Sequence, residues 1–174
     1  DSMISKEQLK QVKRNPLIND ITIHTSYYLG NFYAFILFPQ YWSFEVIECK
    51  IPEMTFWQDY ESVFPRKLYA DQVTGAYYAN RLAATEHLIK IKKQAAVLVL
   101  RQIDSSYTAP LGVGILRENG RNALKNKPIK VKDIKELKEI LNKQLQISTN
   151  IFLKRSKLLT VKQQQRTLFS FNKN

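Results

Sequence analysis

The amino-acid sequence predicts an α+β fold: a mainly antiparallel sheet with packed helices and a flexible C-terminal tail. Three observations lead there. Between positions 21 and 51, three runs rich in β-branched and aromatic residues, ITIHTSYYLG, FYAFILF and WSFEVIECKI, are divided by Gly30-Asn31 and Pro39-Gln40. From 71 to 93 apolar residues recur at helical spacing, and the strand-like AAVLVLRQI follows almost at once. Finally, 131–146 shows a clean helical stripe, with Lys and Glu alternating on its other side.

Residues 5–14 read as a short helix that Ser5 caps and Pro16 ends. The three runs that follow predict strands in an antiparallel meander. In the third, Phe44, Val46 and Glu48 alternate with Glu45, Ile47 and Cys49, so both sheet faces are expected to be partly covered. Residues 52–66, with Phe56, Trp57, Tyr60 and Phe64, read as an irregular packed loop. Val73, Tyr77, Ala84, Leu88 and Ile91 form the stripe of the helix over 71–93. In the next run Ala95, Val97, Val99 and Ile103 face one way and Ala96, Leu98 and Leu100 the other, which predicts the centre of the sheet. The turn Gly112-Val113-Gly114 leads into a helix over 115–125 that Gly120 weakens. Ile134, Leu137, Leu141 and Leu145 mark the helix over 131–146, and Ser148 or Thr149 caps another over 151–159. Residues 1–160 are therefore read as a single α+β domain and 161–174 as a tail.

Composition narrows the function. A chain of 174 residues, 44% hydrophobic with 5 Gly and 6 Pro, is neither disordered nor collagen-like. The longest apolar run, 95–100, falls far short of the roughly 20 residues that span a bilayer, and no leader pattern opens the sequence, so a soluble cytoplasmic protein is expected. Its start, Asp1-Ser2-Met3, does not read as an initiator but as a cloning remnant or an excised piece of a longer chain. One Cys and two His supply neither a disulfide nor a zinc ligand set, so no metal site and no cofactor are expected in this chain. A net charge of +12 attracts polyanions, with nucleic acid the first candidate. The alternative is that Lys-rich sequences from hot environments carry surface ions without binding DNA.

Little in the sequence points to catalysis. Gly112-Val113-Gly114 lacks the third glycine of a dinucleotide loop. Cys49 with His24 or His87 is a conceivable nucleophile pair, but a cysteine in a strand-like run reads as a buried inert thiol. More suggestive are Arg81, Arg101, Arg117 and Arg121, all on apolar elements, because a buried guanidinium must find carboxylate or phosphate. If they converge they make an anion pocket at the end of the central strand, with Tyr77, Tyr78, Glu86 and Glu118 beside them. The other reading is an internal network in which Glu86 and Glu118 neutralise them.

The chain ends on QQQRTLFSFNKN. Gln165, Leu168 and Phe171 are spaced by three, so one turn of 3₁₀ helix would make Leu168 and Phe171 a two-pronged apolar plug with Gln165 at its rim. This resembles the PCNA-interacting box, the peptide by which proteins bind the sliding DNA clamp, Gln-x-x-(Leu/Ile/Met)-x-x-aromatic-aromatic. Asn172 stands where the second aromatic belongs, so the plug is smaller by one ring unless Phe169 or the charge of Lys173 compensates. The competing reading continues Ile151, Leu158, Leu159 and Leu168 as one helix packed on the domain.

The blocks YLGNFYAFILFPQYWSFEVIE, RKLYADQVTGAYYANRLAATEHLIKIKKQAAVLVLRQI, APLGVGILRENGRNAL and QQQRTLFSF together resemble the C-terminal domain of the archaeal Nre family of DNA repair proteins. The resemblance covers about residues 20–171. It implies a role in DNA repair in an archaeal cell, at the nucleoid, with the sliding clamp (PCNA) and DNA as partners. The clamp-binding positions fall on Gln165, Leu168 and Phe171. It implies no established catalysis, and places a cysteine-rich, zinc-binding segment in an N-terminal half that this chain lacks. An enzyme acting on damaged DNA or a nucleotide is the alternative.

Overall fold

A two-residue turn starts the sheet. In the computed structural model, which describes residues 1–108 and 112–160, β1 (Ile21–Tyr28) and β2 (Asn31–Phe38) are joined by Leu29 and Gly30. Both turn residues have positive φ, 45° and 76°, as in the type I′ turn whose twist matches that of the strands. A side chain at Gly30 would run into the backbone of Tyr107.

The meander stops after β2. β3 (Ser43–Lys50) does not pair with it, because β5 (Ala96–Ile103) lies between them, antiparallel to β2 and parallel to β3. The reason is burial. Every residue of β2 and of β5 is buried, and only a central strand has both faces covered and no free edge. β3 carries Glu45 and Glu48 and takes the next place outward. β4 (Thr55–Glu61) corrects the reading of 52–66 as a loop. Its Gln58, Asp59 and Glu61 hide the strand pattern, yet it pairs with β3 from Phe44↔Glu61 to Lys50↔Thr55. With β6 (Ile129–Val131) at the far edge, the sheet order is β4-β3-β5-β2-β1-β6.

Helices cover both faces. α1 (Ser2–Val12), α2 (Gly75–Lys90) and α3 (Val113–Lys125) pack on Phe35, Phe44, Val46, Val97 and Val99. On the opposite face α4 (Ile134–Leu141) and α5 (Thr149–Arg155) pack on Ala34, Ile36, Ile47, Leu98 and Leu100. The fold is α+β, with a mainly antiparallel sheet between two helical layers.

Three local readings change. Asp1, not Ser5, stands at the N-cap of α1, and Ser5 is buried inside the helix. Gly120 does not break α3. A Cβ there would lie 3.1 Å from Asn80 Oδ1 and from Phe35, so the glycine lets α3 approach α2 and the sheet closely. The helix expected over 131–146 begins later, since Ile129–Val131 pair with β1. Asp133 then caps α4, accepting from the Glu136 N–H at 2.9 Å. Ser148 caps α5, and after a break at Ser156 residues 157–160 are helical again, with Leu158 and Leu159 in the core. No helix among the described residues is long and apolar enough to cross a membrane.

Candidate functional site

The four arginines do not open into one cleft. Arg81 donates through Nε to Glu61 at 2.8 Å and through a terminal nitrogen to Ser5 Oγ at 2.6 Å, tying α2 to β4 and α1. Arg101 donates to Asn31 Oδ1 and Glu48 Oε1, each at 2.8 Å. Arg117 reaches Asp1 at 2.6 Å. Arg121 grips both oxygens of Glu86 at 2.6 and 2.7 Å and also meets Glu118. Each guanidinium is matched by a carboxylate, the arrangement that the buried charges of Arg81 and Arg101 require. Tyr77 lies under this layer, fully buried, and burial with Glu61 nearby raises its phenol far above the ordinary range, so it stays protonated. The Tyr78 hydroxyl accepts from the Ala70 N–H at 2.9 Å.

Arg101 does line a cavity. At the carboxyl ends of the parallel pair β3 and β5, beside the first turns of α2 and α3, a space of about 390 Å³ is walled by Glu48, Trp57, Thr74, Arg101, Tyr107 and Val113. The guanidinium carbon sits 5.7 Å from the Tyr33 ring and 5.9 Å from that of Tyr107. Burial raises the Glu48 carboxyl above its ordinary range despite Arg101 beside it, and raises Tyr33 to about 12.

A second cavity, of about 460 Å³, lies between α2 and α3 and gathers Glu86, His87, Lys90, Glu118 and Arg121. His87 meets His24 edge to face, ring centres 5.1 Å apart. Burial first, then the neighbouring His24 and Lys90, lowers His87 to about 4; burial also lowers His24. Both rings are neutral at pH 7. A histidine whose folded pKa is depressed contributes stability above its unfolded value, near 6.5, and loses it as pH falls from there toward 4. Wild type should therefore lose on the order of 2 kcal/mol more than His87→Gln between pH 7.5 and 4.5 in urea melts. Equal losses would show that His87 titrates normally.

Cys49 and this histidine pair are not brought together. Cys49 is fully buried among the residues facing α4 and α5, where burial raises its thiol, whereas His87 belongs to α2 on the other face. Among the described residues no group of three or more His, Cys, Asp or Glu side chains is placed to hold a metal ion.

Sequence reasoning missed the buried carboxylates. Glu45, with no exposed surface, accepts from Ser156 Oγ at 2.6 Å and from the N–H groups of Lys157 and Leu158 at 2.9 and 3.1 Å. It thereby fixes the last turns of chain before the tail to a strand next to the sheet's centre. The signal was present: Glu45 and Glu48 interrupt an apolar strand on opposite faces. Gln165, Leu168, Phe169 and Phe171 lie outside the described residues, as does the whole expected tail.

Comparison with known proteins places this arrangement. The family model described as "Archaeal Nre, C-terminal" matches residues 61–171. The chain belongs to the archaeal Nre family. The model described as "Archaeal Nre, N-terminal" matches residues 1–58 of this Nre chain, so the two matches meet within β4. DNA repair protein NreA of Haloferax volcanii is 35% identical over 123 residues, covering 65% of this chain and 29% of that protein. NreA of Archaeoglobus fulgidus is 38% identical over 109 residues, 58% and 27% of the two chains. DNA repair protein NreB of the same organism is 28% identical over 179 aligned positions, 98% of this chain and 45% of NreB. The chain thus spans less than half the length of these curated relatives. No solved structure matches it.

Proposed function

We propose that this Nre chain is a DNA repair factor that docks on the sliding clamp, PCNA, through its C-terminal peptide and touches DNA through a basic surface. Family membership carries the repair role, since the relatives it aligns with are named DNA repair proteins. The spacing of Gln165, Leu168 and Phe171 supports the clamp. Leu158 and Leu159 are the last described residues in the core, so the motif begins five positions beyond Thr160. The alternative, an enzyme with an arginine-lined phosphate pocket, is weakened because the four arginines already donate to carboxylates of the chain.

The test is binding to the cognate clamp. The chain, and a peptide of residues 160–174, should bind with a Kd on the order of micromolar. Leu168→Ala with Phe171→Ala should weaken binding at least about 30-fold, by removing both prongs. If the doubly changed chain binds as well as the unchanged one, the clamp reading is wrong.

A further inference from the structure

The chain's positive charge is concentrated on one layer of the fold. Residues 126–160 contain nine Lys or Arg and three Asp or Glu, and so hold six of the net +12. This segment builds β6, α4 and α5, the layer on the face opposite α1, α2 and α3. Within it, Lys132, Lys138 and Lys154 converge on a depression of about 450 Å³ floored by Ile134, Leu153 and Leu159.

We infer that this lysine-rimmed depression is where the chain grips the phosphate backbone of double-stranded DNA, an inference that rests on the DNA contact proposed above. Availability is the first argument. The arginines of the opposite layer are held by carboxylates, and among the described residues no ion pair engages Lys132, Lys138 or Lys154. Asp133 shares the rim, but its carboxylate caps α4. Ammonium groups on flexible stems bind phosphate as point charges and release its counterions.

Lining chemistry selects the form of nucleic acid. Single strands are held by bases stacked on aromatic rings, and none of the residues around this depression is aromatic. A phosphate backbone needs only positive charge, which fits a duplex contacted without regard to sequence. Position agrees with the proposed role. Thr160, on the same rim, is five residues before Gln165, a reach of at most about 18 Å. A clamp held by the tail would bring the duplex it encircles close to these lysines.

The experiment measures anisotropy of a labelled short duplex, over a range of salt, with three forms of the chain. Lys132→Gln, Lys138→Gln and Lys154→Gln together should weaken binding at least about 10-fold at low salt. They should also flatten the plot of log K against log salt by about 2.7, near 0.9 for each contact. A control, Lys6→Gln, Lys10→Gln and Lys67→Gln, removes the same charge from exposed positions elsewhere and should change binding less than about 3-fold. Matching thermal melts establish that all three forms fold. Equal losses in both triples would overturn the location while leaving DNA contact standing. No duplex binding by the unchanged chain would overturn the DNA contact itself, and this inference with it. Tighter binding to phosphatidylserine vesicles, lost in the first triple alone while duplex binding is unaffected, would assign the surface to lipid and overturn the proposal.

Discussion

Arg81→Ala is expected to lower the unfolding free energy by roughly 3–5 kcal/mol. Arg81 is 1% exposed, and its guanidinium lies 5.8 Å from the Trp42 ring centre. Its partner Glu61, 4% exposed, otherwise accepts only from Trp42 Nε1, at 3.0 Å, among its described contacts. Truncation strands a buried carboxylate and leaves Ser5 without its donor. In a chain of this size the melting temperature should fall on the order of 10 °C. Arg81→Met with Glu61→Gln removes both charges yet keeps an acceptor for Trp42, and should recover more than half of the loss in urea titrations. A single variant within about 1 kcal/mol of wild type would contradict the buried ion pair.

Glu45→Ala should cost about 3 kcal/mol, because the N–H groups of Lys157 and Leu158 and the Ser156 hydroxyl lose one shared acceptor inside the protein. Its second consequence is local. Freed from the sheet, residues 156–160 should open more often, and trypsin should cut after Arg155 and Lys157 well before the rest of the chain unfolds. Cleavage at the wild-type rate would mean that Leu158 and Leu159 hold this segment without the carboxylate.

Periodicity made most elements legible. The stripe of Val73, Tyr77, Ala84 and Leu88 marks α2, and the two apolar faces of AAVLVLRQI place β5 at the centre, because these patterns record burial directly. Strand order was not legible. Nothing local in FYAFILF or WSFEVIECKI says that a strand fifty or more residues away will separate β2 from β3; that choice is made by which strands can fill an interior place on both faces. β4 was missed for the converse reason, since an edge strand keeps Gln58, Asp59 and Glu61 and loses the alternation that identifies a strand. Glu86 and Glu118, named from the sequence as possible partners, both meet Arg121, but the partners of Arg81 and Arg101 are too far away in sequence for spacing to reveal. Glu61 precedes Arg81 by twenty residues and Glu48 precedes Arg101 by fifty-three.

The insertion of β5 between β2 and β3 bears on how the chain is made. As it leaves the ribosome, β2 and β3 emerge with unpaired inner edges, and both wait until Ile103 is clear of the exit tunnel before the sheet can close. The centre of the sheet therefore cannot close stepwise in chain order. Until then NFYAFILF, one of its most apolar stretches, presents an unpaired edge of the kind that templates aggregation.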